Sequence, residues 1–217
     1  MTNLLELQNV THSFDNVLYE NISFSLKSGE SLAILGVSGS GKSSILNHLS
    51  TLLKPKNGLI NLANFKDIYT LSERDLLHLR RNILGIIFQA HYLFRGFTSR
   101  DNIRIAELIS GQKMDMDMLK DFGIDGTLKQ QIGELSGGQQ QRLSIARVLT
   151  KKPKIILADE PTGNLDKDTA RSVMQYLLSF VRENNAAMVL ATHDSHLANF
   201  CTRVMLLEDK KLRIIKE

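Results

Sequence analysis

The chain has 217 residues, 42% of them hydrophobic and 23% charged, and a net charge of +4. That length holds one α/β core of good size, or a core with a small appended subdomain, and the balance excludes a disordered or fibrous chain. Positive and negative charges are interspersed, so the basic excess reads as an ordinary surface or as attraction to polyphosphate or an anionic membrane face, and no nucleic-acid partner is expected. The single cysteine, Cys201, excludes an internal disulfide and fits a reducing compartment. Residues 1–10 carry acidic and amide side chains without an apolar run and are not read as a signal peptide. No stretch approaches the roughly 20 apolar residues that span a bilayer, so a membrane role is expected to be peripheral, through a partner.

In chain order, residues 5–14 and 17–26 read as short strands joined by the Asp15-Asn16 turn, an antiparallel β layer beside the main core. Residues 31–35, 154–158 and 188–192 are short, non-alternating apolar runs, as in strands buried on both faces of a parallel sheet. Ile45, Leu46, Leu49, Leu52 and Leu53 recur at helical spacing after the first run. Val173, Met174, Leu177, Leu178 and Val181 do so after the second, and both stripes read as core faces. The β–α–β alternation predicts a mostly parallel sheet with right-handed crossovers. From 89 to 149 a mostly helical stretch is interrupted by glycines at 96, 111, 123, 126 and 133. It is expected to be a helical subdomain inserted into a core made of residues 1–88 and 150–217. Residues 203–215 read as two strands around Asp209-Lys210-Lys211.

Gly36-Val37-Ser38-Gly39-Ser40-Gly41-Lys42-Ser43 fits the phosphate-loop pattern in full, between a predicted strand and a predicted helix, and these residues with Ser44 are expected to bind the nucleotide. Glycines let successive backbone N–H groups turn toward phosphate oxygens, and the helix adds its positive dipole end. Lys42 is expected to neutralise the β- and γ-phosphates of ATP and Ser43 to ligate Mg²⁺. The run 154–158 ends in Asp159-Glu160. Two acids at the end of a buried strand are costly unless a cation or a solvated ligand faces them. Alternation along the strand gives them separate tasks: Asp159 toward Mg²⁺, Glu160 orienting and polarising the attacking water.

Leu135-Ser136-Gly137-Gly138-Gln139-Gln140-Gln141-Arg142, upstream of that strand, resembles the signature motif of ABC cassettes. Alone, Ser-Gly-Gly is more often a linker or cap. The resemblance extends over essentially the whole chain. Gln89, after the apolar run 83–88, is similar to the Q-loop glutamine, which would also contact Mg²⁺. Gly163-Asn164-Leu165-Asp166 resembles the D-loop, with Asp166 equally a helix cap. His193 resembles the switch histidine that contacts the γ-phosphate. Phe14 matches the aromatic that stacks on adenine, with a core phenylalanine as the alternative. The segments 71–80, 84–89 and 158–166 are similar to the cassettes of bacterial lipoprotein-releasing, macrolide-exporting and cell-division systems. Departures are Gln139 where that group often has Glu, a segment 91–105 that keeps only Asp101-Asn102-Ile103 of the usual pattern, and Asp209-Lys210 where relatives have Asp-Gly.

The resemblance implies an ATPase whose catalytic residues are Lys42, Gln89, Glu160 and His193. Two copies would pack head to tail, so that Ser136, Gly137, Gly138 and Gln139 of one close on ATP held by the phosphate loop of the other. It implies a separate membrane permease docking near residues 89–105, at the cytoplasmic face of the inner or plasma membrane. Export or lipoprotein release is the leading role, and regulation of an envelope enzyme in cell division is the alternative. Soluble DNA-repair and translation ATPases of the family are disfavoured, since the chain has neither an inserted coiled coil nor a second cassette. A non-hydrolysing binding module is disfavoured because the motif residues are intact.

Overall fold

The computed structural model describes residues 3–217; Met1 and Thr2, within the segment read above as no signal peptide, lie outside the described residues. Three strands, β1 (Leu5–Ser13), β2 (Val17–Leu26) and β4 (Asn57–Leu62), make an antiparallel sheet in the order β2-β1-β4. Strand β1 buries Leu5 and Leu7, then changes phase to bury Val10 and His12. The change is a β-bulge: Leu7 pairs with Phe24 but Val10 with Ile22, and Asn9 takes a left-handed φ of 50°. One extra residue flips which side chains face the core. Gly58 sits against the bulge; a Cβ there would lie 2.6–2.7 Å from backbone atoms of Gln8, Asn9 and Val10.

The second sheet contains β3 (Ser31–Leu35), β5 (Leu84–Ile87), β6 (Ile155–Asp159), β7 (Ala187–Thr192), β8 (Arg203–Glu208) and β9 (Lys211–Lys216). Its order is β5-β6-β7-β3-β8-β9, parallel except for β9 against β8. Helix α1 (Lys42–Leu49) joins β3 to β4; α2 (Glu73–His78) and a π-helical turn at Leu79–Ile83 lead into β5. Helices α3 (Ser99–Ser110), α4 (Met116–Asp121) and α5 (Gly137–Thr150) occupy the stretch before β6. Helix α6 (Lys167–Glu183) crosses to β7, and the short α7 (Ser195–Ala198) leads to β8.

The sheet separates two apolar cores, and strand alternation decides which residue enters which. Leu32, Ile34, Ile155, Leu157, Val189 and Ala191 face α1 and the antiparallel layer. Ala33, Ile156, Ala158, Met188 and Leu190 face α5 and α6. Strands covered on both sides have no polar face, which is why their sequences read as continuous apolar runs. Cys201 is fully buried at the second core, and burial pushes its thiol up to about 11.

The predicted layer, parallel sheet and final hairpin are all present. The helical stripe assigned through Leu53 is shorter than expected: α1 ends at Leu49, Thr51 turns left-handed at φ 67°, and Leu52 is 58% exposed rather than core. The closing hairpin holds Asp209 and Lys210 at φ 48° and 62°, the pair of left-handed residues that a tight β-turn requires.

Candidate active site

The phosphate loop runs from the end of β3 into α1. Gly36 has no room for a side chain, because a Cβ would lie 2.7 Å from Ser40 Oγ and 2.9 Å from the Leu207 carbonyl. Gly39 and Gly41 turn left-handed, at φ 79° and 106°. No side chain caps α1 at Gly41, so the first-turn N–H groups are free to face an anion. The buried Lys42 ammonium donates to the carbonyls of Gly36 (2.7 Å) and Val37 (3.0 Å), which holds it over the loop.

Two strands across, β6 delivers its acids to the same end of the sheet. Burial raises the Asp159 carboxyl above the usual range, opposed by a hydrogen bond from Ser43 and by the Lys42 charge. The hydroxyl and carboxylate oxygens of Ser43 and Asp159 are thus neighbours, a hard donor set. Glu160 departs from strand geometry at φ 44°, and its side chain turns toward the end of β7. There Oε1 accepts from the His193 backbone N–H (2.9 Å) and from Nδ1 of the His193 ring (2.7 Å), and Oε2 accepts from the Thr192 hydroxyl (3.0 Å). Three donors fix the carboxylate.

An open cleft of about 710 Å³ is lined by Phe14, Val37, Ser38, Gly39, Gly41, Lys42, Ser43, Ser44, Gln89, Asp159, Glu160 and His193. Residues from five separate stretches of sequence therefore meet at one site. Phe14 is 62% exposed at its edge, so the core alternative does not hold. Leu18 also lines the cleft; nothing in the sequence distinguishes it from the other apolar residues of β2.

Ser136, Gly137, Gly138, Gln139 and Asp166 do not line this cleft. Ser136 is exposed and caps α5, its hydroxyl accepting from Gln139 N–H (3.2 Å) while Gln139 Oε1 accepts from Ser136 N–H (2.9 Å). Asp166 is exposed and caps α6, accepting from Thr169 N–H (3.0 Å). Gly138 packs beside Leu165, which a Cβ would approach to 3.3 Å.

One linking residue was not foreseen. His91, two positions after Gln89, faces Gln140 Oε1 on α5 through Nδ1 and Asn164 Nδ2 through Nε2, each at 3.3 Å. Its carbonyl accepts from the Ser144 hydroxyl at 2.9 Å. A histidine amid loop residues gives no local sequence signal for such a bridge. Beyond it, Tyr92, Phe94, Ile105, Ala106, Ile109 and Arg147 line a shallow, mostly apolar groove.

A phosphate loop between strand and helix, with two acids at the end of a parallel strand two places across the sheet, defines a phosphate-loop nucleoside triphosphatase. The ABC transporter family profile matches residues 19–163, and the chain belongs to that family. It is 36% identical to the lipoprotein-releasing system ATP-binding protein LolD of Ehrlichia chaffeensis, covering 98% of this chain and 95% of that one. It is 38% identical to the ABC transporter ATP-binding protein YxdL of Bacillus subtilis, covering 98% and 86%. Among solved structures it is similar to the dimeric post-hydrolysis state of the ATP-binding cassette MJ0796 bound to ADP and Pi. That match has a TM-score of 0.87 and 33% identity and covers 98% of both chains.

Proposed function

We propose that this chain is the ATP-binding and ATP-hydrolysing subunit of an ABC transporter, acting as a head-to-tail pair of cassettes that drives a separate membrane permease. The observation that carries the reading is the fixed Glu160 carboxylate, held by His193 and Thr192 at the mouth of the phosphate-loop cleft. Lys42 exchanges its carbonyl partners for the β- and γ-phosphate oxygens of ATP. Glu160 orients and polarises the attacking water. His193 contacts the γ-phosphate, and Phe14 stacks on the adenine. Ser43, Gln89 and Asp159 would hold Mg²⁺, which when bound neutralises charge on the phosphate oxygens.

Ser136, Gly137, Gly138 and Gln139 lie outside the cleft, with Ser136 and Gly137 exposed, as residues that serve a second copy would be. The cassette found in the related structure is dimeric. Closure on ATP and reopening after hydrolysis would then move the permease by favouring one of two states. The apolar groove beside residues 92–109 suits a permease segment, and residues 89–149 act as a helical subdomain within the core of 1–88 and 150–217. Among the described residues no helix is long and apolar enough to cross a membrane, and we place the chain peripherally, at the cytoplasmic face. Similarity to the lipoprotein-releasing LolD of Ehrlichia chaffeensis favours lipoprotein release as the work done.

The test is Glu160→Gln in saturating MgATP, followed by size-exclusion chromatography. A dimer with bound ATP and little turnover is expected. A species that remains monomeric under those conditions overturns the two-chain site.

A further inference from the structure

The first core contains a polar block that the ATPase chemistry does not use. His12 on β1, Tyr19 on β2 and His48 on α1 are 3%, 0% and 0% exposed. Both ring nitrogens of His12, Nε2 of His48 and the Tyr19 hydroxyl have no hydrogen-bond partner in the protein. Unpaired polar atoms in such a place cost stability, and an aliphatic side chain would bury there more readily. What an imidazole supplies and a leucine does not is a flat ring with an aromatic edge.

The rings form a continuous contact. His48 meets His12 edge to face, with centroids 4.6 Å apart, and His12 meets Phe14 the same way at 4.7 Å and 86°. His48 is itself pinned: Nδ1 donates to the Leu53 carbonyl at 2.6 Å, and the Tyr69 hydroxyl donates to that carbonyl and to the His48 carbonyl. Tyr19 lies 6.1 Å from His48 and 6.4 Å from His12, and its ring would be 3.0 Å from a Cβ at Gly41. The block therefore runs from the helix of the phosphate loop to the aromatic at the cleft edge. The β-bulge at Asn9 makes this possible, because it places His12 on the inner face of β1 with Phe14 two residues on.

We propose that His12 is a positioning residue for the nucleotide base: backed by His48, it holds the exposed Phe14 ring in the orientation that receives adenine. The proposal rests on the reading of Phe14 given above. Phe14 has only this inward neighbour among the ring contacts of the described residues, so without the edge of His12 an exposed side chain would sample several rotamers and lose part of its stacking free energy. Both imidazoles are neutral near pH 7, since burial lowers their proton affinity and the Lys56 charge adds to the effect at His12.

The experiment measures dissociation constants for ATP and for inorganic triphosphate, which engages the phosphate loop without a base, by calorimetry. The full chain is compared with His12→Leu, Phe14→Ala and the double variant. His12→Leu is expected to weaken ATP about 3- to 10-fold, leave triphosphate unchanged, and add nothing once Phe14 is absent. His12→Phe, which keeps an aromatic edge, is expected to retain near-native ATP affinity and covers the case of a Leu variant that fails to fold. If Phe14→Ala binds ATP normally, the base does not use Phe14 and both readings fall. If Phe14→Ala weakens ATP but His12→Leu has no effect, or its effect adds fully in the double variant, the His12 proposal alone falls.

Discussion

At the scale of single residues, the site is governed by charges whose partners are already in place. Lys42 is buried with its ammonium on two loop carbonyls. A charge-assisted bond contributes about 1.5–3 kcal/mol, so Lys42→Ala should weaken ATP binding by about tenfold or more, read by calorimetry, and abolish phosphate release. Undiminished activity would remove the phosphate-loop assignment. Glu160→Gln should leave ATP binding intact and lower turnover by about 100-fold or more, the lower end of what a positioned base contributes. These residues were legible because each sits at a forced place: a glycine-rich turn, or a polar break at the end of an apolar strand. The left-handed φ of Glu160 and its grip on Thr192 and His193 were not legible, because they join ends of strands 32 and 33 residues apart.

At the scale of elements, helix termini carry two meanings that the sequence could not separate. Ser136 is the N-cap of α5 whatever else it does. Aspartate caps as well as serine, but its charge would repel phosphate from a second copy. Ser136→Asp should therefore melt within about 0.5 kcal/mol of the native chain while ATPase activity falls by about tenfold or more. Preserved activity would leave the cap as the whole role of Ser136. Gly58→Ala tests the bulge: the left-handed φ of 100° and the backbone contacts at 2.6–2.7 Å predict a loss of about 3 kcal/mol in urea unfolding. Strand β4 escaped the sequence reading because Asn57, Gly58 and Leu59 are all exposed, so no alternation marks it. The end of α1 was misplaced because Leu52 and Leu53 continue the apolar spacing past the turn at Thr51. Periodicity cannot detect a backbone reversal that no glycine announces.

At the scale of the whole molecule, acid sensitivity follows from the buried imidazoles. His48 is lowered by burial from an ordinary 6.5 to about 4, and His12 is lowered in the same direction. The folded chain then binds fewer protons than the unfolded one, so stability is whole above about pH 6.5 and declines as pH falls toward about 4. Urea midpoints across that range should trace the decline, and His48→Leu should flatten it; an unchanged slope would place the acid sensitivity elsewhere. The carboxylates of Asp101, Asp117 and Asp166 are lowered by their caps and ion pair, so they add a separate loss at still lower pH. The layered fold was legible from three apolar runs, while the joining of both cores to the cleft depended on long-range packing that no local pattern encodes. The fully buried Cys201 turns this cooperativity into a clock. With a raised thiol pKa and no access to solvent, the only sulfhydryl in the chain reacts with a colorimetric disulfide reagent only when the second core opens. Its labelling rate thus reads out breathing of the cassette, and nucleotide that closes the cleft should slow that reaction in step with occupancy.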